Sequence, residues 1–182
     1  MTGISHTLRF LLTATATVTI GLAADDNWPQ FRGHAASGIG SGSTPTEWNG
    51  ESGKSVLWKT EIPGLGYSSP VIWKDRIFLT SAVPASGSSA VKLGLYGDIQ
   101  PVKDEPAQSF NVYCIDRKSG KVLWTRTAAS GVPKVKRHPK SSHANPSMAT
   151  DGKHIVAFFG SEGLYVYDFN GKLIWKKDLG ML

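Results

Sequence analysis

The chain has 182 residues, of which 40% are hydrophobic, 10% aromatic and 19% charged, and this composition predicts a folded domain instead of a disordered chain. Twenty glycines, ten prolines and six tryptophans are spread along it, a combination that favours short strands and turns over a helical bundle. A single cysteine, Cys114, excludes an intrachain disulfide and any site built from several cysteines. The net charge of +6 is moderate, and no basic run is long enough to indicate a nucleic-acid partner.

Residues 1–24 have the pattern of a secretory signal peptide. An apolar stretch runs from Phe10 to Ile20, and the small residues after it offer a cleavage site after Ala23 or Ala24. The stretch is shorter than the roughly 20 residues that a spanning helix needs. We expect export to the periplasm or the cell exterior, with no transmembrane span after cleavage. An uncleaved anchor is the alternative.

A repeated sequence follows residues 25–54, which we predict to be an N-terminal segment leading into the fold. Three stretches begin with Gly-Lys and end with Trp shortly afterwards, at Trp58, Trp124 and Trp175. Alternating strands that end in Asp precede the second and third copies. Gly at positive φ and Asp accepting turn amides are typical of tight hairpins, so both copies predict a hairpin.

Two further hairpins complete the pattern, one at about 70–80 with a Lys74-Asp75 turn and one at about 147–159 with an Asp151-Gly152 turn. Each pair of hairpins makes a four-stranded unit, and four strands per repeat of about 40 to 50 residues is typical of a propeller blade. We predict an all-β fold, a partial β-propeller with about two four-stranded blades and one closing strand. A sandwich of unrelated strands is the alternative.

The predicted propeller spans residues 55–182. Its parts are a closing strand at about 55–62, a blade at about 68–128 and a blade at about 144–182. Propellers typically have four to eight blades, so we expect this chain to be the N-terminal part of a longer protein.

The stretch Asp116–Trp124 and its shorter copy Asp168–Trp175 resemble the repeat of pyrroloquinoline-quinone (PQQ) propellers. The resemblance covers roughly residues 28–182 when Asn27–Gly33 is included. It extends to quinoprotein dehydrogenases and to non-catalytic outer-membrane assembly propellers. It implies that one Trp per repeat docks each blade onto its neighbour. The residues that it assigns to this docking are Trp58, Trp124, Trp175, Asp116, Gly120, Asp168 and Gly171.

Quinoprotein dehydrogenases that this chain resembles hold PQQ with Ca²⁺, carboxylate and amide ligands, a stacking Trp and a catalytic Asp from several blades. We cannot place that set in these 182 residues. Catalytic and cofactor-binding residues are therefore unassigned, and we predict no metal site. The resemblance leaves PQQ and calcium possible in the full-length protein.

Blade topology predicts that the two ends of the propeller differ. Short turns lie at one end, and the longer loops, at about 64–69, 83–108 and 128–145, lie at the other. Loops on a rigid scaffold are where binding residues are usually found. The two links that lead into the blades align and supply the candidate ligand residues Tyr67, Ser68, His143 and Asn145. The alternative is that their polar groups satisfy the backbone at the start of each inner strand.

One of these links also carries the basic residues Lys134, Lys136, Arg137 and Lys140, which suit an anionic substrate, a phospholipid head group or an acidic partner, or else form a solvated loop. The leading hypothesis is an exported binding or assembly module. Its partners would be the remaining blades and a protein or small molecule on the loop-rich face. The alternatives are a PQQ-dependent alcohol or sugar dehydrogenase and a carbohydrate or peptide binder.

Overall fold

The computed structural model describes residues 26–87, 102 and 106–181. The predicted signal peptide and much of the loop between residues 83 and 108 lie outside these residues. Within them the chain forms eight β-strands and two short 3-10 turns, and no α-helix. None of the described residues forms a helix with the length and apolar character needed to cross a bilayer.

The strands form two antiparallel sheets of four strands, each in sequential order, and this confirms the predicted all-β partial propeller. The first blade consists of β1 (Val71–Trp73), β2 (Arg76–Pro84), β3 (Gln108–Asp116) and β4 (Val122–Gly131). The second consists of β5 (Ala149–Thr150), β6 (His154–Phe158), β7 (Leu164–Asp168) and β8 (Leu173–Lys177). The 3-10 turns are His34–Ala36 and Gly160–Glu162.

Period-two alternation directs one face of the first blade toward the second. In β2 and β3 the cross-strand pairs Phe78 with Cys114 and Ala82 with Phe110 lie on that face, and all four side chains are buried. Cys114 is thus a buried strand residue, and burial raises the pKa of its thiol.

The core lies between the two sheets. The second blade contributes the buried side chains Met148, Ile155, Ala157, Phe159, Tyr165 and Tyr167. Edge-to-face ring pairs cross the interface, with centroids 5.1 Å apart for Phe78 and Phe169 and 5.6 Å apart for Phe110 and Phe159. Full burial of one such side chain contributes about 1.5 to 3 kcal/mol, so this interface fixes how the blades sit against each other.

The N-terminal segment lies along the innermost strands of both blades. Trp28 and Ile72 exchange two backbone hydrogen bonds of 2.8 Å, and the Thr150 amide donates to the Pro29 carbonyl at 2.8 Å. Gly33 has a φ of +71° and lies under the Trp28 ring, where a Cβ would come within 2.5 Å of Cε3. The segment therefore connects the edges of β1 and β5.

Several strand bounds differ from those expected. β2 continues to Pro84, because Leu65 and Ala82 form a bridge that supports its far end. β5 begins at Ala149 and not at Ser147, because the Ser147 hydroxyl accepts the Ser69 amide at 2.9 Å and holds that residue in the link. Residues 55–62 form no ladder with any described residue, so the closing strand stays a prediction.

Candidate functional site

The two ends of the blades differ in construction. Short connections at 74–75, 117–121, 151–153 and 169–172 lie at one end, which we call the tight-turn end. The opposite, loop-rich end carries the links at 64–70 and 132–148, the connection at 159–163 and the described ends of the β2–β3 connection, residues 85–87 and 106–107. This is the division that blade topology predicts.

Asp and Gly form the third-to-fourth-strand turns. Asp116 Oδ1 accepts hydrogen bonds from the Ser119 amide at 2.7 Å and the Ser119 hydroxyl at 2.6 Å, and these two donors hold the pKa of Asp116 below its ordinary value. Asp168 Oδ1 accepts the Asn170 amide at 2.9 Å. Gly120 and Gly171 have φ of +71° and +77°, the left-handed conformation that a glycine in this turn was predicted to adopt.

Trp58 packs on the first of these turns. Its indole Nε1 donates to the Arg117 carbonyl at 2.9 Å, and the ring covers Gly120 so closely that a Cβ there would lie 2.5 Å from Cδ2. Two residues later, the Thr60 hydroxyl donates to the Gly120 carbonyl at 2.5 Å. The Trp side chain and the side chain two residues after it thus each bond to a carbonyl of the turn.

Trp124 makes the same contacts with the turn of the second blade. Its Nε1 donates to the Phe169 carbonyl at 3.0 Å, and a Cβ on Gly171 would lie 2.9 Å from Cδ2 of the ring. The residue two positions later, Arg126, donates from Nε to the Gly171 carbonyl at 2.8 Å. The arrangement therefore recurs from blade to blade.

Trp175 occupies the same position in the last strand, but no described turn covers it. Its ring is 47% exposed, and it borders an open cavity of about 450 Å³ on the outer face of the second blade. Val156, Val166 and Ile174 line that cavity together with the ring. This face is apolar and open in the described chain.

Sequence reasoning missed a related contact between the inner hairpins. Gly152, in the β5–β6 turn, has a φ of +88°, and a Cβ there would lie 2.4 Å from the Trp73 ring. The Asp151-Gly152 dipeptide indicated the turn, but the Gly-Lys stretches that repeat contain no counterpart of Trp73. Nothing in the repeat pattern therefore pointed to this pair.

At the loop-rich end, the two predicted links lie side by side. The Tyr67 and Ser68 amides both donate to the Ala144 carbonyl, at 3.0 and 3.1 Å. All four candidate ligand residues are therefore close in the fold.

The polar groups of Ser68 and Asn145 are used within the links. The Ser68 hydroxyl bonds to the amide and the carbonyl of Thr80, at 3.3 and 3.4 Å. Asn145 Oδ1 accepts from the Ser142 amide and hydroxyl, and Asn145 Nδ2 donates to the Ser141 hydroxyl at 2.7 Å. Both residues thus make the backbone-satisfying contacts of the alternative interpretation.

Tyr67 and His143 differ from them in exposure and surroundings. The Tyr67 side chain is 49% exposed, whereas His143 is half-buried with its ring edge-to-face against Phe110 at 6.2 Å. His143 and Asn145 line a cavity of about 330 Å³ between the second link and residues 159–162, and we call it the loop-end cavity. The structure places Tyr67 and Ser68 outside its lining.

The basic stretch divides between this cavity and the surface beside it. Lys136 and Arg137 line the loop-end cavity, while Lys134 Nζ forms an ion pair of 2.9 Å with Asp178. This pairing raises the pKa of Lys134 and lowers that of Asp178. The Lys134 amide donates to Glu162 Oε1 at 2.7 Å, which holds the carboxylate at the cavity wall.

A calcium-bound quinone needs carboxylate and amide oxygens that converge, since Ca²⁺ takes about six to eight oxygen ligands. In the loop-end cavity, Asn145 Oδ1 is occupied by two donors from Ser142, and Glu162 Oε1 by the Lys134 amide. Within residues 26–87, 102 and 106–181, no group of three or more His, Cys, Asp or Glu is arranged to hold a metal. The described residues do not fit a PQQ–calcium site.

Comparison with known proteins places the fold in a family. The family model described as outer membrane protein assembly factor BamB, a model of PQQ repeats, matches residues 31–181. A search of the curated proteins returns no match. The family match includes both blades and all three Gly-Lys stretches that end in Trp. The chain belongs to this family of PQQ-repeat β-propellers.

Proposed function

We propose that the chain is an exported propeller module that binds a partner through its loop-rich end. The observation that carries this proposal is that the connections at the two ends of the blades differ in how far other side chains cover them. The short turns at one end are covered by Trp58 and Trp124.

The longer links at the other end carry exposed apolar side chains without such a cover, although Val122 and Leu123 beside a tight turn are also partly exposed. Tyr67, Val132 and Val135 are 49%, 69% and 40% exposed. Exposed apolar side chains on loops held by a rigid scaffold suit contact with another macromolecule.

Under the same proposal, Trp58, Trp124 and Trp175 dock successive blades. The matched contacts on Gly120 and Gly171 support this role for the first two. The apolar face beside Trp175 has the chemistry to receive one more turn of the same kind, which makes further blades the expected partner of that face.

Export is part of the proposal. It is supported by the apolar stretch and small residues of the predicted signal peptide, residues 1–24. The family description refers to assembly of outer membrane proteins, and it supports an assembly role in the cell envelope. Amino-terminal sequencing of the exported protein should find a start at Ala24 or Asp25, and a mature protein that begins near Met1 would reject export with cleavage.

Site-specific photocrosslinking tests the partner. A photoreactive phenylalanine analogue replaces Tyr67 at the loop-rich end or, as the control, exposed Lys118 in the tight turn after Asp116. Both proteins are expressed with their signal sequence in the native host and irradiated in intact cells. We expect a discrete adduct from position 67 and none from position 118. Equal adducts from both positions, or none from position 67, would reject a partner site at the loop-rich end.

A further inference from the structure

The loop-end cavity has the shape and volume of a small-ligand site. Its volume of about 330 Å³ falls at the lower end of the range of 300 to 1,000 Å³ that is usual for such sites. One wall comes from the link at 135–146 and the other from the 3-10 turn at 160–162. Both walls belong to the second blade and its link, so the site does not depend on a neighbouring blade.

The charges around the cavity favour an anion. Lys136 and Arg137 line it, against a single carboxylate, Glu162, among the described lining residues. Glu162 accepts a backbone amide through Oε1, which offsets part of its charge. Lys136 forms no ion pair with any described residue, whereas Lys134 in the same link is paired with Asp178. Lys136 is therefore a cation in this wall whose charge no described carboxylate offsets.

The hydrogen-bonding groups of the wall are arranged mainly as donors. Arg137 donates from one terminal nitrogen to the Ser141 carbonyl at 3.0 Å, and this contact fixes the guanidinium group against the link. His138 Nδ1 accepts the Lys140 amide at 3.1 Å, so in the neutral ring the proton lies on Nε2, which is a donor. Two donors from Ser142 occupy Asn145 Oδ1, and Asn145 Nδ2 donates one hydrogen to the Ser141 hydroxyl at 2.7 Å, so the second hydrogen of this amide nitrogen is the remaining donor.

We infer that the loop-end cavity binds a small organic anion, with the phosphate or carboxylate group held by Lys136 and the adjoining donors. A charged hydrogen bond of this kind is the strongest single contact that the wall offers. The inference rests on the proposed function only for the biological use of the ligand. Tyr67, the position chosen for crosslinking, does not line the cavity.

Calorimetric titration of the whole chain with three matched probes tests the inference. Glucose 6-phosphate, glucuronate and glucose share one ring and differ in carrying a phosphate, a carboxylate or neither. We expect one saturable site for at least one of the two anions, and binding of glucose at least about tenfold weaker. The better anion identifies the group that the cavity prefers.

Two charge variants in one link make the test specific. Lys136→Gln should raise the dissociation constant of the better anion about tenfold or more, because it removes a charged hydrogen bond. Lys134→Gln removes the same charge from the same link outside the cavity, and it should leave the constant within about twofold. Equal weakening by both variants, equal binding of glucose, or no saturable binding of either anion would overturn the inference.

Crosslinking from position 67 in the Lys136→Gln background separates this inference from the proposed function. A retained adduct together with failed anion titrations rejects the anion site alone. Anion binding that depends on Lys136, without an adduct from position 67, rejects the macromolecular partner and leaves the anion site standing.

Discussion

Polar side chains that bond to nearby backbone groups hold the connections at both ends of the blades, but the tight-turn end also has Trp rings packed over its turns. At the tight-turn end, Asp116 and Asp168 close the turns between the third and fourth strands, and the rings of Trp58 and Trp124 pack over those turns. At the loop-rich end, Asn145 and Ser68 close links that nothing described covers from outside. The comparison teaches that the residues that recur from blade to blade maintain the contacts between blades, whereas the links hold themselves in place with residues that do not recur and leave other side chains exposed.

The largest effect is expected from a pair of Trp substitutions, one at a Trp that packs on a described turn and one at a Trp that does not. Trp124→Ala should lower the free energy of unfolding by about 3 kcal/mol, since it loses the packing on Gly171 and a buried hydrogen bond. In the 182-residue chain, Trp175→Ala should cost less than about 1 kcal/mol, because the residue is 47% exposed there. Urea unfolding of both variants provides the values. Similar losses would show that coverage by a turn does not matter.

A second test uses two glycines from the same repeated stretch. Gly120 and Gly53 both have positive φ, +71° and +77°, but only Gly120 lies under a Trp ring. Gly53→Ala should cost about 1 kcal/mol from backbone strain alone. Gly120→Ala should cost about 1 to 3 kcal/mol more, because its Cβ would overlap the Trp58 ring. Equal losses in urea unfolding would contradict close packing at this turn.

The pH dependence of stability tests the turn carboxylate. Hydrogen bonds from Ser119 lower the pKa of Asp116 from its ordinary value of 3.8, so the folded state favours the ionised form. A lowered folded pKa gives a contribution that is complete above the unfolded value and is lost as the pH falls through the folded value. The stability difference between the native chain and Asp116→Asn should therefore be constant from about pH 5 to 7 and shrink below about pH 4. A difference that persists unchanged at about pH 2 would contradict this role.

The smallest expected effect is at the loop-rich end. Tyr67→Ala should change the free energy of unfolding by no more than about 0.5 kcal/mol, because the side chain is 49% exposed and its backbone bond to Ala144 is kept. The same urea series measures it. A loss as large as that of Trp124→Ala would mean that Tyr67 belongs to the scaffold.

Local chemistry explains why so much of the fold could be predicted. Asp and Gly determine a hairpin turn within five residues, and the Asp116 and Asp168 turns have the predicted form. The alternation in β2 and β3 likewise assigns each side chain to one face of the sheet, but it does not predict burial, since β3 is buried on both faces from Phe110 to Ile115. Strand bounds were less predictable, because the Leu65–Ala82 bridge and the Ser69–Ser147 bond depend on contacts distant in sequence.

The candidate site was predictable only in part, for the same reason. Alignment of the two links identified His143 and Asn145, which do share a cavity. The contribution of residues 160–162 to its other wall depends on the β6–β7 connection, a short stretch with no motif of its own. The different surroundings of Lys134 and Lys136 could not be predicted either. Lys134 pairs with Asp178, which lies 44 residues after it in the sequence.

The proposed role as a binding or assembly module competes with that of a PQQ-dependent alcohol or sugar dehydrogenase. The most direct test adds PQQ and Ca²⁺ to the purified protein, in the longest form that the cell makes, and follows dye reduction with a panel of alcohols and sugars. Because the proposed binding module carries out no redox step, we expect no saturable turnover with any substrate. Saturable turnover that requires both PQQ and Ca²⁺ would contradict the account.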